Sequence, residues 1–316
     1  MFISRKKPDN NEYVLKKKVT LKLIWKFRWQ YAMVLPAIIF LFLFSYVPIT
    51  GLRIAFKDYQ LGNTIANAPW VGLVNFSFLT NSDFWKVVKN TLTITFLRML
   101  FGFPAPIILA ILLNEIRSKW FKRVIQSVSY VPHFVSWIVV AYIIDSLLSP
   151  SVGLVNHIIV AFGGKEIFFM GSTSWFRPIV IISGIWKEIG WGTIIYLAAI
   201  TSLDQQLYEA AHVEGAGKWA QMRYVTLPGL TPTILLMLTL SMPNLLNAGY
   251  DQIYPLMNNI NLPVSDVLDT FILRNGLQQG YYSMSSAVGL LSSVISLILM
   301  LSLNKLTKKI SGEGLW

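Results

Sequence analysis

A chain of 316 residues with 54% hydrophobic side chains, a mean hydropathy of +0.54 and only 13% charge is no ordinary soluble domain, which carries about 25% charged residues. Lys and Arg number 27 against 15 Asp and Glu, a net charge of +12; in a soluble chain that excess points to nucleic acid, in a membrane chain to topology. Cysteine is absent, which excludes disulfides, thiolate metal sites and a cysteine nucleophile.

In chain order, residues 1–30 form a basic arm in which Trp25, Phe27 and Trp29 alternate with Lys26 and Arg28. That pattern suits a helix lying in the headgroup region, or equally a solvated basic tail. An apolar run follows over residues 31–50; it is too long for a signal-peptide core, lacks a small-residue cleavage site and reads as a retained span. Five further runs, at about 90–114, 124–148, 175–202, 229–248 and 284–303, have the roughly 20-residue length that crosses a bilayer as a helix. Pro36, Pro104, Pro106, Pro132 and Pro243 lie inside these runs and are tolerable there, because neighbouring helices and water satisfy the freed carbonyls. No alternating ten-residue segments of a β-barrel occur. The expected fold is an all-α polytopic membrane protein with six transmembrane helices. A six-span domain at 31–304 follows the arm, and a short tail occupies 305–316.

Loop charge orients the spans. Nine cations of the arm, then Arg117, Lys119, Lys122 and Arg123, then Lys218 and Arg223, then Lys305, Lys308 and Lys309 fall on one side. Arg53, Lys57, Lys86, Lys89, Lys165 and Arg274 fall on the other. The positive-inside rule places both termini in the cytoplasm. The outer connection at 51–89 carries Trp70, Phe76, Phe84 and Trp85, which predicts a packed cap or interfacial helix. No internal repeat is visible, unlike carriers built from inverted halves.

The cytoplasmic connection at 204–228 is the most informative segment. Asp204 or Ser202 caps a helix beginning near Gln205. Leu207, Ala210, Ala211 and Glu214 recur at helical spacing, and Gly215 ends the helix. A second short helix is expected at 218–224, before Pro228 opens the fifth span. Small side chains and glycine make an elbow that another protein's groove approaches closely.

Glu209-Ala210-Ala211, three residues, Gly215, nine residues, Val225, one residue and Leu227-Pro228 resemble the signature loop of permeases of binding-protein-dependent (type I) ABC importers. Val225 stands for the commoner Ile, Glu214 for the usual Asp and Gln205 for a common Pro. Pro69-Trp70-Val71-Gly72, Phe103-Pro104-Ala105-Pro106, Tyr130 to Trp137, Trp186 to Trp191, Gly276 to Gly280 and Gly314-Leu315-Trp316 are similar to the branch that takes up oligosaccharides released from polysaccharides. The resemblance implies a cytoplasmic coupling helix formed by Glu209, Ala210, Ala211, Gly215, Ala216, Leu227 and Pro228. It also implies a second homologous permease, two cytoplasmic ATPase subunits, an extracytoplasmic sugar-binding protein and residence in a bacterial cytoplasmic membrane. ATP and Mg would sit on the ATPase subunits. This chain is expected to bind no cofactor, metal or nucleic acid and to catalyse nothing; Gly215-Ala216-Gly217-Lys218-Trp219 lacks the spacing and hydroxyl residue of a phosphate-binding loop.

For the substrate path, Asn244 and Asn247 stand one turn apart after Pro243, followed by Tyr250 and Asp251. Amides and aromatic faces suit sugar hydroxyls and rings, while helix–helix hydrogen bonding explains intramembrane amides equally well. Asn244 also lies near where maltose-importer relatives place sugar-contacting asparagines. Arg98, Asp145, Lys187 and Glu188 are costly facing lipid, so structural pairing is expected of them before a gate or an acidic-sugar contact. His133 reads as a packing or pore residue and His212 as a surface residue of the elbow. The alternatives are an ABC permease for another small solute, an ion-coupled carrier and a membrane-embedded enzyme; a carrier would need a carboxylate relay, and an enzyme a catalytic cluster.

Overall fold

Proline shapes the spans, because it has no N–H to donate and its ring crowds the carbonyl four residues back. The computed structural model describes residues 25–311; the expected basic arm therefore falls mostly outside the described residues. In the second span, Ser82–Glu115, the turn Arg98–Gly102 widens to a π turn. The Phe103 N–H there meets the Arg98 carbonyl at 3.1 Å, directly before Pro104 and Pro106. The fifth span, Lys218–Leu246, does the same: a π turn at Met222–Thr226 precedes Pro228. Widening the turn moves the carbonyl out of the ring's way, so each helix continues.

The third span behaves differently. It was expected as one helix over 124–148, but it consists of Lys119–Phe134 and Trp137–Leu148, bent by 105°. Pro132 sits in a short 3-10 turn, Val135 and Ser136 are extended, and the Ser136 hydroxyl caps the new helix by accepting the Val139 N–H. Five long apolar helices plus this bent pair make the six spans. Among the described residues there is no strand, only an isolated bridge between Lys57 and Trp70.

The chain divides into two units, Met1–Gly51 and Leu52–Trp316. In the first, the helix Arg28–Leu41 carries Pro36 and leads into a π turn at Phe42–Tyr46. All of residues 25–50 are exposed, as an apolar helix surrounded by hydrocarbon requires.

The second unit is built around the fourth span, Thr173–Thr201. Ile107, Ala110 and Ile111 of the second span pack with Tyr196 and Ile200 of the fourth and Leu230 of the fifth. Gly190 permits the closest approach: a Cβ there would stand 2.1 Å from the Ser129 carbonyl oxygen of the third span. The sixth helix, Tyr282–Ser311, continues past the expected boundary at 304. Thr307 meets Thr239 of the fifth span at 3.1 Å between hydroxyls.

The segments after the first and fifth spans are folded. After Leu52, Phe56 stacks on Trp70 at 5.6 Å, and Phe76, Phe78 and Phe84 continue the aromatic cluster. The Lys57 ammonium donates to the Ile65 and Ala66 carbonyls. Here the packed cap forms. The connection after the fifth span, expected to be an outer loop, instead returns among the spans as helices Tyr250–Leu256, Leu262–Ser265 and Leu268–Leu273. Asn90 of the second span donates to the Pro263 and Asp266 carbonyls and accepts from Arg177 of the fourth. Burying Ile253, Leu256, Val267 and Leu268 drives the return.

Candidate functional site: the elbow and the polar break

The elbow begins where expected. Asp204 Oδ1 accepts the Gln206 N–H at 2.9 Å and caps the helix Gln205–Val213, satisfying one of its orphan donors. Gly215 has φ +81° and an open surroundings for a side chain, so its backbone conformation rather than crowding selects glycine. The Ala216 N–H returns to the Ala211 carbonyl at 2.9 Å and closes the turn. Glu209 and Ala210 are exposed, Ala211 and Ala216 half-buried, and Leu207, Val213 and Trp219 offer large apolar surfaces beside them.

The second elbow helix is not separate. Lys218–Gln221 runs through the π turn into Leu227–Ser241 without a break, so Leu227 and Pro228, both exposed, lie within one helix. The π turn absorbs Pro228, which was expected to begin a new element. Three contacts bind the elbow to the spans, one of them the Gln221 side-chain amide donating to the Ala216 carbonyl at 3.1 Å. Tyr208 and Thr226 share a hydrogen bond of 2.9 Å between hydroxyls, and Lys218 lies 3.1 Å from Glu115 at the foot of the second span. The Lys218–Glu115 pair is exposed and supplies little energy by itself.

At the far end of the fifth span the chain breaks. Met242–Leu246 is a 3-10 turn that holds Asn244, exposed; Asn247 follows in extended conformation, also exposed. Asn247 Oδ1 accepts the Gly249 N–H at 3.0 Å, and Gly249 has φ +82°. Tyr250 stacks on Tyr254 at 5.0 Å. Two cavities flank this break. One, about 470 Å³, is lined by Asn247, Asp269 and Ser292, Ser293 and Ser296 of the sixth helix. The other, about 350 Å³, is lined by Arg98, Trp137, Glu188, Asp251 and Gln252. Asn247 and Asp251 thus line different cavities, and neither cavity is lined by Asn244 or Tyr250.

Of the intramembrane charges, Arg98, Lys187 and Glu188 have partners, whereas Asp145 is exposed on the third span. Lys187 is 4% exposed; its ammonium donates to the His133 carbonyl at 2.6 Å and stands over the Trp137 ring. Glu188 meets His133 Nδ1 at 2.8 Å, and the His133 ring lies flat on Trp191 at 4.5 Å. The bend in the third span is therefore fastened to the fourth by a cation, a carboxylate and a stacked ring. Arg98 reaches the Ala248 carbonyl and Gln252. His212 is exposed on the elbow. Sequence reasoning had marked Arg98 as costly without finding its partners. It counted Asp269 only among the acids of the connection after the fifth span, because a residue between spans carries no hydropathy penalty that would flag it.

Residues 102–312 match the model of the binding-protein-dependent transport system inner membrane component family. The chain belongs to that family. The permease is 44% identical over 302 residues, 95% of its length and 94% of the relative's, to the polygalacturonan/rhamnogalacturonan transport system permease protein YteP of Bacillus subtilis strain 168. It is 42% identical over 290 residues, 92% of its length and 91% of the relative's, to protein LplB of the same organism. Among solved structures it resembles a chain of the bacterial alginate ABC transporter in complex with alginate pentasaccharide-bound periplasmic protein. That match has a TM-score of 0.87 and 38% identity, and covers 93% of the permease and 99% of that chain. The permease is a membrane component of an ABC importer, and ATP hydrolysis belongs to separate subunits.

Proposed function

We propose that this permease forms one half of the translocation path of an ATP-driven importer for oligosaccharides released from polysaccharides. Its partners are a second homologous permease, two cytoplasmic ATPase subunits that hold ATP and Mg, and an extracytoplasmic sugar-binding protein. It resides in a bacterial cytoplasmic membrane with both termini in the cytoplasm, as the distribution of Lys and Arg among the loops supports.

One observation carries the mechanism: the second half of the elbow, from Lys218, is continuous with the fifth span through Leu227 and Pro228, and the Tyr208–Thr226 hydrogen bond ties the helix that bears Glu209, Ala210 and Ala211 to it across the turn at Gly215 and Ala216. A helix seated in a cleft of the ATPase moves with it as a rigid body. ATP binding favours the outward-facing arrangement because the closed ATPase pair binds the elbows differently from the open pair. Hydrolysis resets the cycle. The moving span ends at Asn244 and Asn247, with Tyr250 and Asp251 just beyond, so these four residues form the path. Asn247 and Asp251 supply hydrogen-bonding groups to sugar hydroxyls from the two cavities.

The oligosaccharide reading draws on YteP, named for polygalacturonan and rhamnogalacturonan, and on the alginate transporter. The test is reconstitution of the full complex in proteoliposomes, with uptake of oligosaccharide followed against ATP hydrolysis. Glu209→Lys is expected to leave assembly intact while hydrolysis continues without uptake. Uptake driven by a proton or sodium gradient in the absence of ATP would sink the reading in favour of an ion-coupled carrier.

A further inference from the structure

The second span carries a charge at the one place where the helix also widens. Arg98 opens the π turn Arg98–Gly102, and its guanidinium crosses to the break after the fifth span. Nη1 donates to the Ala248 carbonyl and Nη2 to Gln252 Oε1. The backbone of the break after the fifth span is therefore held on its Ala248 carbonyl by a cation of the second span. Ala248 is fully buried there.

Each neighbour is itself fixed. Gln252 Nε2 donates to the Val180 carbonyl at 2.7 Å and the Ser183 hydroxyl at 2.9 Å, which ties the grip to the fourth span. A Cβ on Gly249 would lie 2.9 Å from Arg98 Nη1, so the close approach and the positive φ both demand glycine there. Arg98 lines the cavity of Asp251, while Asp269 lines the cavity of Asn247. Both terminal nitrogens of Arg98 have protein acceptors. A planar fork serves two acceptors in a fixed geometry where an ammonium, a point donor, does not.

We propose that Arg98 is a positioning residue of the translocation path: by gripping Ala248 it sets the break at 248–249 and thereby holds Asn247 toward one cavity and Asp251 toward the other. The proposal rests on the reading that Asn247 and Asp251 line the path. Arg98 acts through the backbone rather than on the sugar.

The natural absence of cysteine makes the position of residue 247 directly measurable. Asn247→Cys, in the assembled complex with cysteine-free partners, is labelled with a membrane-impermeant maleimide, with Arg98 intact and with Arg98→Met. Loss of the grip is expected to change the labelling rate by about fivefold or more, as local opening of a once-fixed segment does. Arg98→Lys is expected to fall between the two. Leu61→Cys, 79% exposed in the packed cap away from the elbow, is expected to label at the same rate in all three backgrounds, which a general loosening of the fold would not allow. Labelling at 247 within about twofold of the Arg98 protein, in an assembled Met variant, overturns the proposal. If the Met variant does not assemble, the same result in Arg98→Lys overturns it. Protection of Asn247→Cys by loaded binding protein and ATP, in the Arg98 background, tests the path reading separately. Its absence would remove the path while leaving the labelling comparison to decide the grip.

Discussion

The Tyr208 hydroxyl sits 2.9 Å from the Thr226 hydroxyl, joining two residues 18 apart in sequence. Tyr208 belongs to the elbow helix and Thr226 to the π turn at the foot of the fifth span. The turn at Gly215 would otherwise be the only covalent hinge between them. This hydrogen bond closes the elbow into a triangle, which is the geometry the proposed coupling needs to pass a push on the helix Gln205–Val213 to the span.

Tyr208→Phe removes the bond while keeping the ring, and is expected to loosen the elbow by about 1 kcal/mol. ATP consumed per sugar imported should rise while the amount of assembled complex stays the same. An unchanged ratio of hydrolysis to uptake in proteoliposomes would count against the hydrogen bond as a transmitting contact.

Gly215→Trp places a side chain at φ +81°, a conformation costing a residue with Cβ about 1–2 kcal/mol. Nothing in this chain obstructs the side chain, so the permease is expected to insert and pair normally. Sugar uptake is expected to fall to background. Gly215→Asn, which tolerates the left-handed region, should retain most of it. Normal uptake by a well-expressed Trp variant would remove the coupling role of the elbow.

Gly190→Val sets a Cβ 2.1 Å from the Ser129 carbonyl oxygen, so the third and fourth spans must separate. Overpacking of this kind costs about 1–3 kcal/mol. The melting temperature of the purified complex should drop, whereas Gly217→Val, with no atom near its Cβ, should leave it within a degree or so. Equal melting temperatures would show that the two spans part easily.

Asn247→Ala removes a group that lines a cavity and holds the Gly249 N–H. The half-saturating concentration of loaded binding protein is expected to rise by roughly tenfold, the equivalent of about 1.4 kcal/mol. Asn244→Ala, at a position that lines neither cavity, is expected to have a smaller effect. If both variants transport with unaltered kinetics, the asparagines lie off the path.

Single cysteines test the orientation. Lys165→Cys is expected to react with an impermeant maleimide added outside intact cells, and Lys309→Cys only after the membrane is opened. The reverse pattern would invert the topology drawn from loop charge.

Much of the architecture was legible in the amino-acid order because the bilayer imposes it locally. A run of about 20 apolar residues is long enough to cross, the Lys and Arg between runs are counted without any knowledge of contacts, and Asp204 and Gly215 act on the backbone at their own positions. Proline was the ambiguous letter. Pro104 and Pro228 widen their helices at a π turn, whereas Pro132 accompanies a 105° bend. The difference lies in Ser136, which caps a new helix, and in Gly190, His133 and Glu188, which hold the two halves against the fourth span. The return of the connection at 249–281 among the spans was not legible because its apolar residues are too few in a row to look like a span; they are buried by neighbours far away in sequence.

Sequence alone established that the chain is a six-span permease with an elbow before its fifth span, since both features are written in contiguous residues. The pairing of Arg98 with Ala248 and Gln252 and the separation of Asn247 from Asp251 into two cavities were decided only by tertiary structure. In each pair the residues come from elements that hydropathy treats as independent, and what joins them is the cost of leaving a buried charge or a broken backbone without a partner.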